Sequence, residues 1–187
     1  DPIRVYQRLA TLDALSNGRA EVILGRGSFI ESFPLFGFDL NRYEELFNEK
    51  LDLYAAVIKQ QPVTWQGATR SPLKNQNVYP KTECVTLKTW IGVGGTPESV
   101  LSAAHYGFPM MLAIIGGDPK RFAPYVDLYK RALAENGKPM LPLGVHSHGF
   151  VGKTDAQARE DLFADYKRMR DKIDAERGWA PFAKPEY

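Results

Sequence analysis

The chain has 187 residues, 44% of them hydrophobic and 25% charged, which is the composition of one ordinary folded domain with a sizeable core. A formal net charge of +2 argues against a nucleic-acid or membrane surface as the main partner, and the longest apolar run, Phe108 to Ile115, is far too short to span a bilayer. The single cysteine, Cys84, excludes an intrachain disulfide and a cysteine-based metal centre and fits a cytoplasmic location, and no signal peptide is visible in a chain that begins at Asp1.

Asp1-Pro2 reads as a helix cap and first helical residue. Ile3, Leu9, Leu12 and Leu15 then predict the buried face of that helix, which Asn17-Gly18 ends. Glu21 to Leu24 is a short buried strand closed by Gly25-Arg26-Gly27, and a loop rich in aromatics follows, with Phe29, Phe33, Phe36 and Phe38. A long amphipathic helix starts around Asn41, with Leu46, Leu53, Val57 and Ile58 inside and Glu44, Glu45, Glu49, Lys50 and Asp52 in solvent. Residues 61–87 are irregular, either a functional excursion or a small hairpin.

Trp90 to Val93 predicts the next strand, and Pro97 to His105 a helix ended by Gly107. Pro109 to Ile115 is a strand, followed by Gly116-Gly117-Asp118-Pro119 and a helix to about Glu135. Leu141 to Val145 is the last strand and leads into His146-Ser147-His148-Gly149. Thr154-Asp155 opens a helix to about Ala175, and the tail with Pro181 and Pro185 has no periodicity. Short buried strands alternate with helices, so the expectation is one α/β domain over residues 1–187 with a parallel sheet. Four strands suit a small open sheet or about half of a (β/α)₈ barrel, which typically needs ~250 residues.

The chemistry concentrates at Trp90-Ile91-Gly92-Val93-Gly94-Gly95-Thr96-Pro97-Glu98-Ser99. Gly94 and Gly95 let the backbone turn and approach a ligand; Thr96, Pro97 and Glu98 suit a helix start; Ser99 adds a hydroxyl to the same rim. Backbone N–H groups with hydroxyls beside them are what a phosphate needs, although a well-capped helix after a tight turn has the same spelling. Arg26, just past a strand end, offers a guanidinium fork for phosphate or a salt bridge to a neighbouring helix. His146 and His148 alternate at another strand end and suit substrate contact, proton transfer or metal binding, but no spacing suggests the third ligand a metal requires. His105 is a surface residue, Arg42 is a phosphate candidate by position only and reads better as solvated, and Cys84 has no assigned role.

Several stretches, kept in order along nearly the whole chain, resemble the bacterial luciferase-like flavin monooxygenases. They are Ala10 to Arg19 followed by a strand and Gly-Arg-Gly, then Phe36-Gly37-Phe38, Val78-Tyr79-Pro80 and Trp90 to Ser99. The resemblance implies a (β/α)₈ TIM-barrel type, here with about four βα units, beginning in the third helix and stopping before the eighth strand. It implies an FMN-dependent monooxygenase, in which reduced flavin from a separate reductase reacts with oxygen to oxidise a small organic substrate. On that pattern Arg26, Gly94, Gly95, Thr96 and Ser99 bind the cofactor phosphate, and His146 and His148 lie on the substrate side. The resemblance also implies that important active-site residues belong to strands outside this chain, so no catalytic residue is assigned. An incomplete barrel exposes a sheet edge, which predicts a homo-oligomer. The alternatives are a deazaflavin-dependent oxidoreductase of the same fold, a non-catalytic flavin- or phosphate-binding half-barrel, and an unrelated open-sheet phosphate-binding domain.

Overall fold

Four parallel strands carry the architecture: β1 (Glu21–Leu24), β4 (Lys88–Val93), β5 (Met110–Ile114) and β6 (Leu143–Ser147). A computed structural model describes residues 1–27, 30–82, 86–115, 118–178 and 180–181. The expectations for Phe29, Cys84, Gly116, Gly117 and Pro185 lie outside the described residues. The sheet order is β1-β4-β5-β6, so each parallel strand is laid beside the previous one without the order ever reversing. A doubly wound sheet reverses at a switch point. The winding found here is that of an arc of a (β/α)₈ barrel.

Strand alternation sorts the sheet into two faces. Val22, Leu24, Thr89, Ile91, Val93, Met110, Leu112 and Ile114 share one face, and from Thr89 to Ile114 these residues are all buried. Helices α3 (Tyr43–Val57), α4 (Pro97–Tyr106) and α5 (Ala123–Glu135) cover this side. Ala103 and Ala104, both fully buried, let α4 approach closely. Ile23, Trp90, Gly92, Met111, Ala113, Gly144 and His146 share the other face, where Ile23 is half exposed. A closed barrel turns that face to its interior.

Helix α1 (Pro2–Leu15) begins as expected, with the Asp1 carboxylate accepting from the Ile3 amide at 2.9 Å. Its buried face differs from the expected one. Tyr6, Ala10 and Asp13 face inward, while Leu12 is half exposed and Leu15 is 81% exposed. The i, i+4, i+7 row of Tyr6, Ala10 and Asp13 includes one small residue, which brings α1 close to α3. Asp13 is tolerated inside because its carboxylate accepts from the Ala20 amide at 3.3 Å.

The irregular stretch resolves into an antiparallel hairpin of β2 (Val63–Trp65) and β3 (Leu73–Gln76). Two acidic residues of α3 that the pattern assigned to solvent hook it down. Glu49 accepts from the amides of Ala68 and Thr69 at 2.6 and 2.8 Å, and Asp52 accepts from Trp65 Nε1 at 2.8 Å. Gly67 is required there, since a Cβ would sit 2.3 Å from the Trp65 ring. A short helix, α2 (Ser32–Leu35), and a 3-10 turn at Leu40–Arg42 precede α3. Strand β6 starts two residues later than expected, after Pro142, which has no N–H to give to a ladder; pairing with Ala113 and Ile114 then carries it through His146 and Ser147. The polar helix α6 (Asp155–Arg177) follows, capped by the Thr154 hydroxyl. Among the described residues no helix is long and apolar enough to cross a membrane.

Candidate functional site

The ends of β1 and β4 lie side by side, because Leu24 pairs with Ile91. The residues that follow each strand therefore meet at the C-terminal edge of the sheet. After β4 the chain turns through Gly94 and Gly95, and Gly95 takes φ +135°, a conformation that side chains other than glycine rarely adopt. The Tyr125 hydroxyl, from α5, donates to the Gly95 carbonyl at 2.7 Å and fixes the turn. Thr96 is extended and stands at the cap position of α4, yet its side chain makes no capping hydrogen bond. The hydroxyl serves another purpose. Thr96 Oγ1 accepts from Arg26 Nη2 and lies 3.1 Å from the Ser99 hydroxyl, which is buried.

Helix α3 holds Arg26 from the opposite side. Nη1 pairs with the Glu44 carboxylate, and the guanidinium lies 5.6 Å from the Tyr43 ring centre and 6.0 Å from that of Phe47. Tyr43 is itself anchored: its hydroxyl donates to the Gly27 carbonyl at 2.7 Å and its ring rests 5.5 Å from Phe33. Burial pushes the Tyr43 hydroxyl above its ordinary pKa, with the Arg26 charge acting in the opposite direction. The Arg26 side chain is only 11% exposed, so its orientation is set before any ligand arrives. One oriented cation, two hydroxyls and the N-terminus of a ten-residue helix converge on one spot. That donor set suits a tetrahedral oxyanion such as a phosphate ester.

Arg26, Gly94, Gly95, Thr96 and Ser99 are thus brought together. Of the two readings of Arg26, the salt bridge to a neighbouring helix is the one realised, through Glu44, while Nη2 meets the Thr96 hydroxyl. The histidines stand apart. His146 lies on the open sheet face opposite Ala113, two strands from β4, or roughly 10 Å by strand spacing. His148 is past the strand end, with its ring 5.9 Å from Tyr166 of α6 in an edge-to-face arrangement. Both are exposed. Arg42 pairs with Glu45 through two hydrogen bonds of 2.7 and 3.0 Å, in keeping with a solvated helix residue. Phe36 is 69% exposed, and Phe38 carries the Lys50 ammonium 3.9 Å above its ring.

Tyr43, Glu44, Phe47 and Tyr125 were not singled out from the sequence. The available signal was their position: three fall within the first two turns of the helix after the Arg26 loop, on one side of it. A depression of about 840 Å³ lies at the other end of the sheet, lined by Asp52, Lys59, Lys88, Trp90 and Tyr106. There the Tyr106 hydroxyl is pushed up to about 12, by burial first and then by Asp52, which it meets at 3.2 Å.

The model of the luciferase-like monooxygenases matches residues 1–184. The chain belongs to that family. It is 27% identical over 146 residues to the alkanal monooxygenase alpha chain of Photorhabdus luminescens, a match covering 73% of this chain and 37% of the relative. Two solved structures share its fold. An F420-dependent secondary alcohol dehydrogenase in complex with an F420–acetone adduct superposes with a TM-score of 0.69 at 21% identity, covering 87% of this chain and 49% of that one. The oxygenating constituent of 3,6-diketocamphane monooxygenase from Pseudomonas putida, in complex with FMN, gives 0.68 at 15% identity, covering 96% and 57%. The chain therefore spans about half the length of these structures and just over a third of the curated relative. The family is one of monooxygenases, and the four-stranded arc matches a portion of the (β/α)₈ barrel of these structures.

Proposed function

We propose that this chain carries the cofactor-phosphate site of a flavin-dependent monooxygenase, with FMN as the cofactor. The observation that supports the reading is the convergence of Arg26, Thr96 and Ser99 at the first turn of α4, across the ends of two adjacent strands. When bound, FMN would supply redox chemistry that amino-acid side chains lack. The residues of this chain do the holding. Arg26 would offer its guanidinium charge to the phosphate, Thr96 and Ser99 would offer hydroxyl hydrogen bonds, and the amides of the α4 first turn would complete the shell. Gly94, with no heavy atom of the described residues within 4 Å of where a Cβ would stand, leaves room for the ligand to approach the backbone. His146 and His148 serve the substrate side of the open sheet face. The same reading includes a small organic substrate, a separate reductase, a homo-oligomer and a cytoplasmic location.

A second reading, a deazaflavin-dependent oxidoreductase, is favoured by the likeness to the F420-dependent alcohol dehydrogenase. A phosphate anchor suits either cofactor. Equilibrium titration with FMN and with F420, followed by the fluorescence of each, separates them. The proposal expects FMN to bind and F420 to bind at least tenfold more weakly. F420 binding with the higher affinity would replace it with the second reading, and binding of neither by the folded chain would overturn both.

A further inference from the structure

The contacts of Arg26 have opposite character. Nη2 meets the neutral Thr96 hydroxyl, whereas Nη1 meets the formally negative Glu44 carboxylate. We propose that Glu44 is both the positioning residue for Arg26 and a brake on the phosphate cradle. It holds the guanidinium in its binding orientation and repels the phosphate that the guanidinium attracts. The proposal deepens the reading of Arg26, Thr96 and Ser99 as a phosphate site and rests on it.

The surroundings of the pair support both halves. Arg26 is nearly enclosed at 11% side-chain exposure, lodged against Tyr43 and Phe47, while the Glu44 side chain is 59% exposed. The helix turn that carries Glu44 is immobilised from its neighbour, because Tyr43 is tied to Gly27 and packed on Phe33. Glu44 therefore sits at a fixed root and reaches the guanidinium from the solvent side. A phosphate arriving at Thr96 and Ser99 shares one guanidinium with this carboxylate. The cation is already paired with an anion before the ligand comes, and that carboxylate faces a second anion across a single planar group. The cradle is thereby formed in advance without holding its ligand tightly, which suits a cofactor that is exchanged rather than retained.

Orientation and repulsion act in opposite directions and can be separated chemically. Glutamine at residue 44 keeps an acceptor for Arg26 and removes the charge; alanine removes both. Two unit charges near 4 Å in water correspond to about a fivefold factor in affinity. A doubly charged phosphate raises this and salt lowers it, giving an expected gain of about tenfold for Glu44→Gln at low ionic strength. Glu44→Ala should gain less than Glu44→Gln, since Arg26 loses its orientation. The tenfold gain should shrink as salt is added.

The test is a titration of the chain with inorganic phosphate, with chloride at matched ionic strength as the control, following the backbone amide resonances of Thr96 and Ser99. The same spectra report that each variant is folded. Tighter phosphate binding by Glu44→Gln, with Glu44→Ala between it and the unsubstituted chain, is the expected result. Equal or weaker binding by Glu44→Gln, with Thr96 and Ser99 still responding in the unsubstituted chain, overturns the brake and leaves the phosphate reading standing. If neither amide responds to phosphate in any of the three proteins, the phosphate reading itself fails and the brake falls with it.

Discussion

Replacing Gly95 by alanine tests whether backbone conformation alone presents Thr96 to Arg26. The nearest heavy atom to a Cβ at residue 95 is the Tyr125 hydroxyl at 3.9 Å, an ordinary contact, so crowding adds nothing to the cost. What remains is φ +135°, in a region that costs a non-glycine residue about 1–3 kcal/mol. Loss of the glycine freedom of the unfolded chain offsets about 0.4–1 kcal/mol of this, leaving a net destabilisation of about 0–2.6 kcal/mol, with about 1–2 kcal/mol in the middle of that range. Gly94 is the matched control. It lies outside the positive-φ residues, and a Cβ there meets nothing within 4 Å. Gly94→Ala is therefore expected to be neutral or to stabilise by about 0.4–1 kcal/mol. For a chain of this size Gly95→Ala should lower the melting temperature by about 2–8 °C, and Gly94→Ala should leave it unchanged or raise it slightly. Thermal and urea unfolding followed by circular dichroism read both values. Equal stabilities for the two variants would refute the assignment of the turn to Gly95. If alanine instead forces the turn to relax, the Thr96 hydroxyl leaves Arg26, and phosphate affinity falls further than stability.

Ile91 is fully buried between Leu24 and Met110 in the sheet, so Ile91→Ala should cost about 2–5 kcal/mol in urea unfolding; a loss under ~1 kcal/mol would place it outside the core. Asp52→Ala strands the Trp65 indole N–H and removes the acceptor of the Tyr106 hydroxyl, for an expected loss of about 1–3 kcal/mol, and it should bring the Tyr106 titration down from about 12 in an absorbance titration of the phenolate. Unchanged Tyr106 titration would show that burial acts alone. Tyr129, fully buried and donating to the Phe108 carbonyl at 2.6 Å, is also pushed up to about 12 by burial. A raised folded-state pKa gives stability that is complete below pH 10, the unfolded value, and is lost as pH climbs toward 12. Unfolding midpoints should therefore fall between pH 10 and 12, and Tyr129→Phe should flatten that fall; a variant with the same slope would exclude Tyr129 as its source.

The parallel strands and their helices were legible because period-2 apolar runs and capping residues are local signals. The cluster of Arg26 with Thr96 and Ser99 was legible as well, since each residue follows a strand end and parallel strands in chain order bring such ends together. Two kinds of information were not. Which face of α1 is buried depends on the shape of its partner, which favours Tyr6, Ala10 and Asp13 over Leu12 and Leu15. The uses of Glu44, Glu49 and Asp52 depend on elements far away in sequence, so a pattern that sees only helix periodicity reads them as solvated. The capping role of Thr96 failed for the same reason. Its backbone obeys the local rule, while its hydroxyl is taken by Arg26, 70 residues earlier.

Arg26, Thr96 and Ser99 are proposed to hold the phosphate of the cofactor. The most direct measurement is calorimetric titration with FMN and with riboflavin, which differ only in that phosphate, on the unsubstituted chain and on one carrying Arg26→Ala and Thr96→Ala together. FMN should bind at least tenfold more tightly than riboflavin, and the double substitution should erase the difference while the protein stays folded. FMN binding no tighter than riboflavin, or a preference that survives the double substitution, would contradict it.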